Sequence, residues 1–583
     1  MAGIGSILVA DCGSTMTTVA LIDRVNGHHR LLARGEAIST HHTPWANVTV
    51  GVKEAIRQVE TLVGRALLTQ GGELIRSCRP DKDGVDAFAA VSSAAPPMRV
   101  VLTGLTHNLS LASARRALAG PYVELAGVLA LDEGGAGRDL TARIRILRQA
   151  QPEVIVITGG TDGGASRPVT EIAQLVALYN RMLAPEDRPA IFYAGNAHLA
   201  DDVASLFAAS DTLRVVANVR PGLDVENLEP IRTQLQSLYQ DRWLTSVPGM
   251  HRLREWTGRP VSPAARSFGQ VIRYVGERYR LNVLGFDLGS SSTVLAAQSG
   301  DCASLTTGAN LGIGLSVPAA LNQIPMERIT RWLPFEMQPD WARDTLLNKG
   351  LHPHSVPQTR EDLLLEYALA REIMRQPVAG AREGWTQGSR TGKPANSQWD
   401  LIIGAGRTLT RTPRPGYAVL LLLDALEPAG VSKIALDTGS VAGLLGAAAT
   451  VHPLAAVEVI EYDAFLTAGT VIALSGTARQ GDTALRLDIR YQGGRTIQEE
   501  VRFGSLRVIP LQPGQHASME LHPAPGFDVG VGQPGQSVTA EAEGGTIGIV
   551  IDARGRPLPI PDDGEDRRQR MQTWLGGVGV GGG

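Results

Sequence analysis

Residues 8–22 read LVADCGSTMTTVALI, and residues 284–297 read LGFDLGSSSTVLAA. Each is an apolar run ending in an aspartate, an Asp-x-Gly-Ser turn with further hydroxyls, and a second apolar run, which spells strand, turn, strand. A carboxylate and a group of hydroxyls at the tip of an apolar hairpin suit a nucleotide polyphosphate. Glycine lets the backbone come close, so that consecutive N–H groups face phosphate oxygens. Serine and threonine add neutral donors, and an aspartate can hold Mg²⁺, usually through water. One copy alone reads as a polar β-turn with a capping aspartate. Two copies in matching contexts favour a nucleotide held between two loops. Asp11 and Asp287 are then the Mg²⁺ ligands and the leading catalytic carboxylates. Gly13, Ser14, Thr15 and Thr17 would contact phosphates from one side, and Gly289, Ser290, Ser291 and Ser292 from the other. A third feature follows in order. WDLIIGAGRTLTRTP is a buried strand opening into Gly404-Ala405-Gly406, where two glycines would let adenine and ribose lie against the backbone.

Composition narrows the partners. A net charge of −3 over 583 residues, with no long Lys/Arg run, gives no reason to expect nucleic acid. The cysteines Cys12, Cys78 and Cys302 are far apart, which fits a reducing, cytoplasmic setting and excludes a disulfide framework. It also argues against an iron–sulfur activator role. No basic-plus-apolar leader and no run of about 18 apolar residues is present, so neither a signal peptide nor a membrane span is expected.

Along the chain the pattern changes several times. Residues 1–98 read as strands and a helix from about 47 to 70, with Asn47 or Thr49 as cap. Residues 99–222 alternate short apolar runs with helical stretches, the signature of parallel β-α units. Residues 223–281 read as a mainly helical connector. Residues 282–451 repeat a strand hairpin and then turn helical, interrupted by a polar loop over 380–398. Residues 452–565 show short alternating strands between Gly/Pro turns, an antiparallel β domain. Residues 566–583, ending GGVGVGGG, read as a tail.

The order phosphate hairpin, phosphate hairpin, adenosine loop resembles the actin, sugar-kinase and heat-shock-chaperone ATPase superfamily. That resemblance implies an α/β fold of two actin-like, ribonuclease H-like lobes closing on ATP, with an inserted β-α region and a C-terminal antiparallel β domain. Closer still, TPWANVTVGVKEAI, VLTGLT, VIVITGGTDGG, FYAGNAHLADDV, VRPGL, NLGIGLSV, GAGRTLTRTPRPG and VSKIALDTGSVAGLLGAAATVHPLAAVEV resemble the MutL-type accessory proteins of glutamate mutase, which are unrelated to the mismatch-repair protein of that name. The resemblance runs from about residue 5 to about 560. It implies a chaperone-like or reactivating partner of adenosylcobalamin-dependent mutase subunits that uses ATP and Mg²⁺. Four departures bear on hydrolysis: Ser290-Ser291-Ser292 in the second hairpin, Pro96-Pro97 after SSAA, Gly308-Ala309-Asn310-Leu311-Gly312 in place of an acidic segment, and Arg407 after the adenosine loop. They are compatible with binding but bear against efficient hydrolysis, so that a weak ATPase, or a nucleotide-binding scaffold without efficient hydrolysis, is the competing reading. A small-molecule kinase of the same superfamily would need a carboxylate placed to accept a hydroxyl proton.

Asp162, in TGGTDGG between a strand and a helix, is the further catalytic candidate, with Asp132 and Glu133 as other water-orienting acids; each also reads as a structural turn residue. His41 and His42 would point apart on a strand and make a poor metal pair. Cys12 reads as packing.

Overall fold

The computed structural model describes residues 4–76, 83–132, 139–208, 212–387 and 398–579. Cys78 and Glu133 lie outside them. The chain forms two compact units, one of the residues up to Ala94 and from Val247 onward, the other of Ala95–Ser246. The helical segment expected as a connector over 223–281 is thus divided between them.

The first unit opens with β1 (Ile7–Cys12), β2 (Met16–Val25), β3 (His28–Ile38), α1 (Val48–Val63) and β4 (Ala87–Ser92). Strand β1 pairs antiparallel with β2 and parallel with β4. Its run Ile7 to Ala10 is fully buried, as a strand covered on both faces requires. Asn47 caps α1 by accepting the Thr49 N–H, and the helix stops at Gly64, whose φ of 68° ends it before the expected residue 70.

The second unit holds β5 (Met98–Gly104), α2 (Ser110–Leu118), β6 (Val123–Ala130), α3 (Leu140–Ala150), β7 (Val154–Ile157), α4 (Arg167–Arg181), β8 (Ala190–Tyr193), α5 (Ala200–Leu206), β9 (Leu213–Val215) and α6 (Glu229–Leu238). Its five strands are parallel, in the order β6-β5-β7-β8-β9. Short apolar strands joined by helices can close a sheet only in this crossover fashion.

The first unit resumes with α7 (Met250–Thr257), β10 (Ser262–Pro263), α8 (Ala264–Tyr279), β11 (Val283–Leu288), β12 (Ser292–Ser299), β13 (Cys302–Ala309), α9 (Val317–Gln323), α10 (Met326–Thr330), α11 (Pro339–Leu351) and α12 (Arg360–Gln387). Helix α12 carries on through much of the stretch expected as a polar loop. Then come β14 (Leu401–Ala405), α13 (Arg407–Thr410), α14 (Pro415–Leu426), β15 (Gly430–Leu436), α15 (Ala442–Val451), α16 (Pro453–Tyr462) and β16 (Leu466–Ala473). Strand β11 pairs antiparallel with β12 and parallel with β14, the plan of β1 with β2 and β4. The two lobes therefore repeat one strand arrangement. They share a core in which Val9 and Val91 of the first lobe meet Phe268 and Ile272 of α8 and Leu444 and Leu445 of α15. Helices α8 and α15 pack closely because Gly446 has no side chain; a Cβ there would lie 2.2 Å from the Ser267 carbonyl oxygen.

The last part holds β17 (Thr483–Tyr491), β18 (Thr496–Arg502), β19 (Leu506–Ile509), β20 (His516–Pro523), β21 (Val538–Glu543), β22 (Gly548–Asp552) and α17 (Gly564–Gly577). Strands β17, β18, β20 and β21 make a separate antiparallel sheet. Strands β16, β22 and β19 instead extend the sheet of the second lobe. The tail expected from 566 is a correction. Asp563 caps α17 through the Glu565 and Asp566 N–H groups, and Met571, Trp574, Leu575 and Val578 are buried in the second lobe's core. Among the described residues no helix is long and apolar enough to cross a membrane.

Candidate functional site

The two hairpin tips have one geometry. The Gly13 N–H donates to the Met16 carbonyl at 3.0 Å, and the Gly289 N–H to the Ser292 carbonyl at 2.9 Å. A Cβ on either glycine would stand 2.6 or 2.8 Å from that same carbonyl oxygen, so the turn admits only glycine. Asp11 and Asp287 precede these turns near the ends of β1 and β11.

A third aspartate joins them. Strand β15 ends at Leu436, and Asp437-Thr438-Gly439-Ser440 follows. The Asp437 carboxylate accepts the Val441 and Ala442 N–H groups at 2.8 and 2.9 Å, fixing the start of α15. Asp437 was not singled out from sequence, although Asp-Thr-Gly-Ser repeats the Asp-x-Gly-Ser of both hairpins. A helix rather than a second strand follows it, so a search for hairpins passes over it.

Asp11, Asp287 and Asp437 line a cavity of about 820 Å³. Gly13, Ser14 and Thr15 face it from the first lobe, and Gly289, Ser290 and Gly406 from the second. The size lies within the usual range for small-molecule sites. Its wall carries Lys349, Arg360, Arg407, Arg411 and Arg414, and the aromatic and apolar side chains of Tyr367, Tyr417, Leu363 and Val356. An acidic floor, a basic rim and an apolar wall match a metal, a polyphosphate and a base.

Five residues assigned to the site from sequence fall elsewhere. Thr17 is fully buried on β2, its hydroxyl 3.0 Å from Ser39 Oγ, because the strand has turned it to the packed face. Ser291 offers its carbonyl to the Ser316 hydroxyl, and Ser292 closes the turn with its own carbonyl, so the chain path draws both off the cavity wall. Gly404 lies inside β14 against Leu422 and Leu436. Asp162 belongs to the second unit. Its carboxylate accepts the Ala197 N–H at 2.8 Å and the Asn218 amide at 2.9 Å, and its own N–H donates to the Pro221 carbonyl. It ties together the loops that follow β7, β8 and β9. Asp132 does similar work by accepting the His107 N–H. His41 and His42 sit in the turn after β3 with ring centroids 3.9 Å apart, and burial together with His42 pushes His41 down to about 4.

The carboxylates disturb one another. Burial, then the charges of Asp287 and Asp437, push Asp11 up to about 7. Burial and Asp437 push Asp287 up to about 7. Burial lifts Asp437 to about 6 against its two N–H donors and Arg34. Asp11 Oδ1 is buried and has no hydrogen-bond partner, a cost that proteins seldom leave uncompensated. A divalent cation fits this donor set, with Asp11 and Asp287 as the residues that would hold it and Asp437 alongside. It would supply positive charge against which phosphate oxygens can rest.

A pH dependence follows. In the metal-free chain the folded state holds protons on these carboxyls more tightly than the unfolded chain does. Their contribution to stability therefore falls as pH rises from the ordinary value of 3.8 through about 7. Metal binding displaces those protons. The apparent Mg²⁺ affinity, read from the gain in melting temperature on titration, is expected to rise about tenfold or more between about pH 5.5 and pH 8.

A family model described as MutL protein matches residues 7–464. A curated relative, Protein MutL of Clostridium tetanomorphum, is 24% identical over 273 residues, 46% of this chain and 52% of the relative, so the match spans about half of the relative's length. Among solved structures, the nucleotide-free structure of acetone carboxylase is similar at 10% identity and a TM-score of 0.31, covering 85% of this chain and 81% of that one. Component A of the (R)-2-hydroxyglutaryl-CoA dehydratase of Acidaminococcus fermentans aligns at 9% identity and 0.25, over 77% of this chain and 99% of its own. Glycerol dehydratase reactivase aligns at 11% and 0.30, over 77% and 100%. These scores are low, and the reading of the cavity rests on its own geometry. The family match runs from β1 of the first lobe to just past α16 of the second, most of the chain's length, and the chain belongs to the MutL protein family.

Proposed function

We propose that this chain is an ATP-binding accessory factor that takes Mg²⁺ and ATP into the cavity between its lobes and assembles or reactivates an adenosylcobalamin-dependent mutase of the glutamate mutase type. The observation that carries the nucleotide part is the convergence of three Asp-x-Gly-Ser turns on one cavity, with Asp11 Oδ1 left without a partner. Backbone N–H groups and hydroxyls at the two hairpin tips are suited to phosphate oxygens, and the basic rim to the remaining charge. The mutase part follows from membership of the MutL family and from the resemblance to its glutamate mutase accessory proteins.

A second reading, nucleotide binding without efficient hydrolysis, is favoured by one detail. Among the described residues, the carboxylate on the cavity wall besides the three aspartates is Glu366, and Lys349 already engages it at 3.1 Å. It is poorly placed to take a proton from water or from a substrate hydroxyl. Calorimetry with Mg·ATP and Mg·ADP tests the binding step. Single-turnover phosphate release separates the two readings, with rates far below one per minute expected for the second. Retention of mutase subunits on the immobilised chain, stronger with Mg·ATP than without, is the expected partner result. No binding heat at millimolar nucleotide would remove the proposal.

A further inference from the structure

Three guanidinium groups converge on one carboxylate at the edge of the cavity. Glu36, on β3 of the first lobe, accepts from Arg407 Nη2 at 2.7 Å and from Arg411 Nη2 at 2.7 Å on both of its oxygens. Arg34 Nη2 lies 3.0 Å from the same carboxylate. Arg407 and Arg411 belong to the second lobe and line the cavity. Arg34 reaches the second lobe as well, donating to the Gly439 carbonyl at 2.5 Å inside the third Asp-x-Gly-Ser turn. One strand end of the first lobe is therefore clasped to two segments of the second that border the cavity.

The charges do not balance, since Arg407 and Arg411 share the single charge of Glu36, while Arg34 divides its own between Glu36 and Asp437. Arg407 is also partly desolvated; burial lowers its pKa, with Arg411 and Arg34 adding to the effect and Glu36 opposing it. Such a cluster is short of anionic oxygen. A polyphosphate offers more charge and more acceptors than a single carboxylate, and pairs of its oxygens suit the two-donor fork of a guanidinium group. Resting on the nucleotide reading above, we propose that Glu36 is a latch across the cleft, holding Arg407 and Arg411 until the phosphates of an entering nucleotide displace its carboxylate and free the first lobe at that edge. The latch thereby regulates the site, because binding must first break the clasp, and the fraction of unlatched molecules scales the apparent affinity.

Glu36→Gln tests this in the full chain. The backbone at residue 36 is held separately, its N–H donating to Gln58 Oε1 at 3.0 Å and its carbonyl accepting from Gln58 Nε2 at 2.7 Å, so β3 should stay in place. Calorimetry is expected to show Mg·ATP bound about tenfold more tightly by the variant than by the parent. Amide hydrogen exchange over residues 31–38 of the nucleotide-free variant should be at least about threefold faster. Arg411→Gln, read by exchange alone because that residue lines the cavity, should loosen the same segment. If the parent binds nucleotide and Glu36→Gln binds it equally or more weakly, the latch is wrong while the nucleotide site stands. If the parent binds none, both fall together.

Discussion

Asp11→Asn is expected to weaken Mg·ATP binding by about 100-fold, roughly 2.7 kcal/mol, while the melting temperature of the nucleotide-free chain at about pH 8 holds or rises. The two halves come from one geometry. Asp11 Oδ1 has no protein partner to lose, and the carboxylate sits among the charges of Asp287 and Asp437. Removing its charge relieves that repulsion and takes away the oxygen best suited to the metal. A site held poised against its own stability behaves in this way. A turn-stabilising aspartate would move both measurements downward together, and that outcome, by calorimetry and thermal melting, would remove Asp11 from the site.

Arg554→Met is expected to cost about 3–5 kcal/mol of the second lobe's stability, read as a shift in its urea midpoint. Arg554 is fully buried. It donates to both oxygens of Asp552 at 2.9 Å and to Asp424 Oδ1 at 2.7 Å, and its guanidinium lies 4.8 Å from the centre of the Trp574 ring. Arg371 holds the other oxygen of Asp424 at 2.6 Å, and Arg556 holds Asp552 at 2.6 Å. Burial alone would raise the Asp552 pKa, but Arg554 and Arg556 hold it well below the usual carboxylate range. Methionine fills much of the space and leaves two buried carboxylates with one arginine each. Arg554→Lys should recover less than half of the loss, because an ammonium cannot present two parallel donors to Asp552 while also reaching Asp424. A midpoint shift corresponding to less than about 1 kcal/mol would show that the cluster contributes little beyond packing.

The hairpins were legible in the sequence because two constraints coincide there. An apolar strand limits which residues can precede the turn, and the turn's own carbonyl forbids any side chain on Gly13 and Gly289. The third loop escaped because Asp437 leads into a helix, whose first N–H groups it also serves. Ser291, Ser292 and Thr17 were drawn in by proximity along the chain, but direction alternates on a strand, so hydroxyls next to a loop need not face what the loop faces. Asp162 carried a glycine-rich context that suits an anion equally well as a tight turn, and its hydrogen bonds assign the turn. Helix α17 was hidden by a charged stretch and terminal glycines, yet Met571, Trp574, Leu575 and Val578 keep the i, i+3, i+4, i+7 spacing of a buried stripe. The latch around Glu36 has no local signature, because Arg407 and Arg411, the partners it would hold, lie far along the chain.

The docking of α17 sets an order of events during synthesis. The unit of Ala95–Ser246 is continuous in sequence and can close its sheet soon after it emerges from the ribosome. The second lobe cannot: its sheet waits for β19 and β22, and its core for Trp574. Until that tryptophan arrives, Arg554 and the apolar face beneath it stay open to water and to other nascent chains.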